Sequence, residues 1–488
     1  MLYNLNWLAT GKTFPPTEET SRIQRYADNE KYFASEHIEA MSGSVYYEYI
    51  KRITRVVGNF NDFISFPVLF GYQRLMALKT ADLVCGEYPI ITSGDKTHDR
   101  VREAINFDAK MYGTVIDLCR FGDCIWRIYK TDDGSYTYTI WDIKDWYPIV
   151  SQDGTLTIEK HVLAWIETLE NEKTLLHVQI HSVGEYEKRV YNLDTPVTYI
   201  NERRVFVTRN IGKQIGKSEI IKTGLNTNAV IHIRNMYTSN TIYGYDDYTP
   251  IDSLVAEIMT RTAQISKILD KHADPNMTGP ASMLRRNKET NELYFEAGDF
   301  YAVNPGEEQP KYLTWEGELE SSFKQLELLI NQLYILSELG SAILGAGGSE
   351  SGQAISGAAM RFKMTNPLAK ARRLSNLLTS PVKTLFSIIE KINIEDFTVI
   401  WQDGLPDDPK ETLELVRLAT GKKAIMPLEK AIIEYLKRTP KEAQEWVSKI
   451  ELEEIKNMQP NKNNSKDGMN NFGRKSVFGS EDNQSNMT

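Results

Sequence analysis

From about Ser42 to Arg120 apolar residues recur three and four positions apart, as in SVYYEYIKRITRVVGNF and YQRLMALKTADLVCG, and this spacing predicts mainly helix. Between Cys124 and Thr208 the period drops to two. CIWRIYKTDDGSYTYTIWDI predicts a hairpin turning at Asp132-Asp133-Gly134-Ser135, and LLHVQIHSV and RVFVTRN predict further strands. A helix follows over Ser253 to Ala273, with Leu254, Ile258, Ile265 and Leu269 on one face. At 1.5 Å per residue it would span roughly 30 Å. Pro275 and Pro280 end it, and the segment to Glu316 predicts short strands separated by turns. Helical spacing returns over Gly317 to Leu344, where Leu319, Phe323, Leu326, Ile330 and Leu333 follow a heptad-like order. A small β element thus interrupts a helical pair.

Six glycines fall between Gly340 and Gly357, out of 30 in 488 residues. They lie between two helical stretches, where a mobile loop is expected to touch something that passes it. From Ser356 to about Ile392 the pattern is helical again. Pro367 and Pro381 inside it predict kinks or restarts. EDFTVIW, Glu395 to Trp401, predicts a strand, and two or three helices follow to about Asn457. In the last 31 residues 14 are Asn, Ser or Gly, the composition of a disordered tail.

Composition narrows the class. Hydrophobic residues at 41% and charged residues at 25% suit a folded chain, and 488 residues suffice for more than one substructure. A net charge of −9 argues against a general nucleic-acid binder, though not against brief contact with DNA. Three cysteines, Cys85, Cys119 and Cys124, are too few for a disulfide framework and suit a reducing cytoplasm. The start lacks a signal-peptide pattern, and no apolar run approaches the ~20 residues of a membrane span. A cytosolic protein, or one assembled in a cytosol, is expected.

Candidate chemistry is sparse. Gly212-Lys213-Gln214-Ile215-Gly216-Lys217-Ser218 ends like a phosphate loop but has three residues between its glycines where four are needed. Gly11-Lys12-Thr13 lacks the upstream glycine. In the run Gly345 to Glu350, the glutamate stands where a dinucleotide fingerprint needs its third glycine. Cys119 and Cys124 have no second cysteine pair. His177 and His181 sit on a strand, roughly 13 Å apart and too far for one ion, and are expected to face solvent. Asp403, Asp407 and Asp408 could hold a divalent ion, but Asp408 as N-cap, Pro409 at the first helical position, Glu411 at N3 and Gly421 past the end describe a helix more fully. No catalytic residue, metal ligand or cofactor is expected. Finally, Ser351 to Ile389 contains no acid but carries Arg361, Lys363, Lys370, Arg372, Arg373 and Lys383. Such a run either pairs with acids on a neighbouring element or subunit, the weightier option in an acidic chain, or faces DNA.

From about Tyr46 to Glu454 the order of segments resembles the portal proteins of tailed double-stranded DNA bacteriophages, in particular those from phages of Gram-positive bacteria. The resemblance is carried by YQRLMALKTADLVCGEYPIIT (72–92), YGYDDYTPIDSLVAEI (243–258), SGAAMRFKMTNPLAKARR (356–373) and IWQDGLPDDPKETLELVRLATGKKAI (400–425). It implies an α+β, mainly helical portal architecture. Residues 1–252 would form an α/β wing, 253–273 and 317–344 the two stem helices, and 274–316 a small β-containing clip. Residues 345–355 would be the tunnel loop, 356–400 a long kinked wing helix and strand, 401–457 a helical crown, and 458–488 the tail. It further implies a homo-oligomeric ring, usually of twelve subunits, at one capsid vertex of the virion, assembled in the host cytoplasm. Double-stranded DNA would pass through that ring during packaging and ejection. Partners would be the terminase large subunit, the major capsid protein, the scaffolding protein and a head–tail adaptor, with no membrane involved. Gly347, Gly348, Ser349, Glu350, Ser351 and Gln353 would face the DNA. Small polar groups suit a constriction, because a strongly basic channel would bind and stall the duplex. Arg285, Arg286, Lys288 and Glu289 would meet partners at the clip. Two other classes compete: a cytosolic phosphoryl-transfer enzyme or nuclease using Gly212–Ser218 or Asp403, Asp407 and Asp408, and a scaffold or coiled-coil adaptor whose helices pair within a dimer.

Overall fold

Alternating apolar residues build the largest sheet of this fold, and the computed structural model describes residues 1–57, 64–94, 96–170, 172–201, 204–273, 277–280, 284–288, 290–294, 305–306, 309, 311–312, 319–344, 362–402, 409–421, 424–436 and 438–458. The chain divides into two compact units, residues 1–407 and 408–488. The fold is mixed α+β.

The first unit opens with β1 (Thr13–Phe14), α1 (Thr20–Phe33), α2 (His37–Met41) and α3 (Tyr47–Ile53). A ladder of β2 (Thr54–Val57) with β3 (Ile64–Pro67) interrupts the helix expected to run on here. Thr54, Val56 and Val57 are β-branched, and such a run fits a strand better than a helix. Next come α4 (Tyr72–Cys85), β4 (Ile90–Ser93), β5 (Lys96–Thr97), α5 (Asp99–Ala104) and α6 (Phe107–Phe121). The expected hairpin is present as β6 (Asp123–Lys130) and β7 (Tyr136–Trp141), paired from Ile125↔Trp141 to Lys130↔Tyr136.

Five strands then meander: β8 (Trp146–Val150), β9 (Ile158–Thr168), β10 (Thr174–Ser182), β11 (Glu185–Asn201) and β12 (Arg204–Gln214). With β1 at one edge and β13 (Glu219–Lys222) paired to β11, they form an antiparallel sheet of seven strands in the order β1-β12-β11-β10-β9-β8. Alternation places Val162 and Ala164 in one core with Trp7, Phe14 and Ile180, and Leu163 in another with Tyr26, Trp146 and Val230. Both faces of the middle strands are therefore covered. β14 (Val230–Arg234) leaves this sheet to pair with β6.

The helix expected from Ser253 is α7 (Asp252–Ala273). Four short strands follow, β15 (Met277–Thr278), β16 (Arg285–Arg286), β17 (Leu293–Tyr294) and β18 (Lys311–Tyr312), and then α8 (Leu319–Leu336). The stretch expected to continue to Leu344 instead breaks at Ser337–Leu339 and restarts as α9 (Gly340–Leu344). Glu338 at φ 60° and Gly340 at φ 68° turn the backbone there. No restart occurs at the prolines: one helix of 26 residues, α10 (Thr365–Glu390), contains both. Pro367 lies in its first turn, where a missing N–H costs nothing, and Pro381 sits within it. β19 (Phe397–Ile400) returns to pair with β4, tying the end of this unit back to the strand that follows α4. The main core lies where α4, α6, α7 and α10 meet β6 and β14, around Met76, Val115, Trp126, Met259, Leu378 and Phe386.

The second unit holds α11 (Pro409–Thr420), α12 (Leu428–Tyr435) and α13 (Pro440–Met458). Its tail after residue 458 lies outside the described residues.

Candidate functional site: the helix pair and its feet

α7 and α8 run out of the body and back, packed on each other and closed at their far ends by the ladder Met277↔Tyr312, Thr278↔Lys311. The first half of α7 is enclosed, with Val255, Ala256, Ile258, Met259 and Thr260 all buried. Beyond Ile265 the helix emerges, and Leu269 is exposed. On α8 the inward stripe is Leu326, Ile330 and Leu333, with Leu333 fully buried. Leu328 and Ile335, seven residues apart, project on the opposite face at 59% and 65% exposure. An outer apolar stripe on a surface helix is unusual unless something covers it.

At the outer end of the pair, β16 pairs with β17 through Arg285↔Tyr294 and Arg286↔Leu293. Arg285, Arg286 and Lys288 are exposed, and Arg286 Nη1 donates to Asn291 Oδ1 at 3.0 Å. Glu289 lies outside the described residues, and so do Gly347, Gly348, Ser349, Glu350, Ser351 and Gln353.

The inner end is a charged joint. Lys370 of α10 is 2% exposed, with its Nζ 2.7 Å from Asp247 Oδ2 and donating to the Ser337 carbonyl at 3.2 Å. Burial alone would lower the ammonium's proton affinity, but Asp247, together with Cys119 and Glu338, outweighs it and holds the pKa above the ordinary lysine value. One turn on, Arg373 grips Glu338 with two nitrogens, at 2.5 and 3.3 Å. Asp247 is itself held in place. Its N–H donates to the Cys119 carbonyl at 2.8 Å, and Asn235 Nδ2 donates to its Oδ1 at 3.0 Å. Sequence reasoning placed Lys370 and Arg373 against acids of a neighbouring element or subunit, as found, but did not identify Asp247, Ser337 or Glu338 as their partners. The legible signal was Lys370 itself, which falls within the apolar stripe Pro367, Ala371, Leu374 and Leu378.

Asp252 begins α7 and accepts a hydrogen bond at 3.1 Å from Gln73, whose Oε1 meets His37 Nε2 at 3.2 Å. It borders a cleft of about 450 Å³ also lined by Arg25, Asp28 and Tyr46. Burial, reinforced by Asp246 and Asp28 and opposed by Gln73, pushes its carboxyl up to about 7. The folded state therefore holds more protons than the unfolded one between about pH 4 and 7, and stability falls through that window as pH rises. Asp252→Asn keeps the acceptor and removes the charge. It should stabilise by on the order of 2 kcal/mol at pH 8, with the advantage shrinking as pH drops towards 4. Thermal unfolding of both proteins from pH 5 to 8 checks this, and a pH-independent difference would refute it. The comparison must be between the two proteins, because His161 and His181, both pushed down to about 3 mainly by burial, tilt the shared baseline the other way.

Other candidate residues are dispersed. Gly212, Lys213 and Gln214 end β12, and the next element after Ser218 is strand β13, so no helix N-terminus is available to a phosphate at this place. Gly11 donates to the Ile211 carbonyl in the turn before β1. Asp403, Asp407 and Asp408 lie outside the described residues, while Pro409 does open α11 and Gly421 follows its last residue. His177 meets Glu167 at 2.6 Å, but His181 is buried against Tyr186, contrary to the expectation of a solvent-facing side chain. All three cysteines are buried and their thiols are pushed up, Cys85 to about 12. Among the described residues no cluster of three His, Cys, Asp or Glu could hold a metal, and no helix is long and apolar enough to cross a membrane. Within the acid-free run, Lys370 and Arg373 pair with acids of neighbouring elements of the same chain.

No protein-family model matches the sequence, and no curated protein does. Among solved structures, the chain is similar to one from the neck of an empty gene transfer agent particle computed with C6 symmetry, at 9% identity and a TM-score of 0.44 over 74% of this chain and 88% of that one. A chain from the neck of the native particle, computed with C12 symmetry, gives 9% identity and 0.43 over 75% and 89%. One from the virion of the native gene transfer agent particle gives 10% and 0.44 over 75% and 89%.

Proposed function

We propose that the chain is a structural virion subunit of the portal type, closing with copies of itself into a ring through which double-stranded DNA is packaged and ejected. The supporting observation is the pair α7 and α8, which leaves the body, carries a small β element between its ends and bears Leu328 and Ile335 exposed on its outer face. A monomer gains nothing from that stripe, whereas neighbouring copies in a ring would cover it. In this assignment the body up to residue 252 and α10 belong to the wing, and α7 and α8 to the stem. The short ladders belong to the clip, and the second unit to the crown. Arg285, Arg286 and Lys288 are exposed at the clip, where an acidic face of the terminase large subunit or a head–tail adaptor could meet them. Capsid and scaffolding contacts would fall on the wing. The phosphoryl-transfer alternative loses its better-defined motif, because Gly212–Gln214 are strand.

Native mass measurement and negative-stain imaging of the purified protein test the ring directly. Closed rings with a central hole are expected, and a monomer or a simple dimer would overturn the proposal. Replacing Gly347, Gly348 and Glu350 by tryptophan should leave rings intact while cutting packaged DNA at least tenfold, on the order of 1.4 kcal/mol or more of added barrier. Unchanged packaging would remove the DNA-facing role from these residues.

A further inference from the structure

The two feet of the helix pair meet at one ammonium group. Asp247 stands five residues before α7 begins, and Ser337 follows the last residue of α8. Lys370 Nζ reaches both, at 2.7 Å to the carboxylate and 3.2 Å to the carbonyl. The Ser337 carbonyl belongs to the helix end, where oxygens lack intrahelical partners and a cation is favoured, so Lys370 caps α8 from another helix. Ser337 finishes the cap locally: its hydroxyl donates to the Tyr334 carbonyl at 3.0 Å and accepts from the Leu339 N–H at 3.2 Å. Arg373, one turn along α10, holds the adjoining Glu338. An apolar side chain at position 370 could fill the space but could not fix both feet at once. A single charge with two partners couples them.

We propose that Lys370 is the positioning residue that locks the entry of α7 and the exit of α8 to α10, so that the helix pair and the long helix move as one body. The mechanical consequence rests on the conduit role: axial force on the pair passes into the wing through this joint. The coupling itself does not depend on that role.

Hydrogen exchange on the purified, assembled protein separates the two. Lys370→Met alone strands the Asp247 carboxylate and lowers folded yield, so the informative variant is Lys370→Met/Asp247→Asn, which removes both charges together. Exchange should speed up about tenfold at amides 252–258 and 333–344 of this double variant, while β9 and β10 amides keep wild-type rates. Lys370→Arg, which retains the charge, should loosen the same two segments less and serves where the double variant is not recovered. Unchanged protection at either foot, or a loss spread evenly over the chain, overturns the joint. Loosened feet in a protein that forms no ring would sink the conduit role and leave the joint standing.

Discussion

Gly244→Ala is expected to abolish the folded first unit. A Cβ at this position would stand 1.8 Å from the Gly122 carbonyl oxygen and 3.1 Å from the Asn235 nitrogen. These are backbone atoms, so no rotamer change relieves the overlap. Gly122 makes the reciprocal demand. It closes α6 at φ +81°, and a Cβ there would lie 2.7 to 2.8 Å from the backbone of residues 244–246. Two glycines thus let the segment leading to α7 cross the end of α6 at backbone distance. The crossing is tied by hydrogen bonds from Asn235 N–H to the Gly122 carbonyl and from Gly244 N–H to Asp123 Oδ1, both 2.8 Å. Asp123, fully buried, also accepts from Tyr26 at 2.7 Å and meets His232 Nε2 at 2.7 Å. Moving residue 244 therefore strands a buried carboxylate in part and displaces Asp247 from Lys370. Loss of the Gly244 hydrogen bond to a buried charge and of the Asn235–Gly122 bond, added to the steric overlap of backbone atoms, costs on the order of 4 kcal/mol or more, a large share of a typical folding free energy. The variant should be recovered as aggregate or melt far below wild type. Gly113→Ala is the internal control. It adds a Cβ in α6 3.4 Å from Ile140 Cδ1 of β7, an ordinary van der Waals contact, and should shift stability by no more than about 1 kcal/mol. Equal melting temperatures for the two variants would mean that the crossing is not fixed as described.

Long elements were legible wherever one period persisted. The hairpin at Asp132–Ser135 and the helix from Asp252 to Ala273 follow from spacing and turn residues alone. Failures occurred where burial departed from the assumed half-solvated pattern. His181 lies on β10, a strand with neighbours on both sides and side chains covered on both faces, so the rule that alternate residues meet water does not apply. The joint at Lys370 was hidden for another reason. Its partners Asp247 and Ser337 lie 123 and 33 positions away in sequence, and only packing brings them together. Lysine in an apolar stripe announces that a partner exists, but not which. The helix also does not restart at Pro381, because a long helix held by tertiary contacts around Leu378 and Phe386 tolerates an interior proline that would break an isolated one. Of the glycine-rich segment, Gly340 opens α9, and residues 345–357 lie outside the described residues.

Charging the outer face of α8 should prevent the proposed ring from closing without unfolding the subunit. Leu328 and Ile335 are already mostly exposed in the single chain, so Leu328→Asp/Ile335→Asp removes little intramolecular burial and should change the subunit's own stability by no more than about 1 kcal/mol. In a closed ring the same two side chains would be covered by a neighbour at every interface. Covering them would contribute about 1.5 to 3 kcal/mol each, and burying a carboxylate there instead is unfavourable by a comparable or larger amount. Because each copy carries the change at each of its contacts, the penalty recurs around the whole ring. Native mass measurement should then show monomers where the wild type shows rings, with melting of the isolated subunit nearly unchanged. Placing carboxylates at Glu320 and Lys324, already an exposed ion pair at 2.7 Å, by Lys324→Glu should have a far smaller effect, since that pair is bathed in solvent. Rings that persist in the double aspartate variant would show that copies do not meet across this face, and the conduit role would lose the observation that supports it. A variant that unfolds outright would show that Leu328 and Ile335 serve the subunit's own core, with the same consequence.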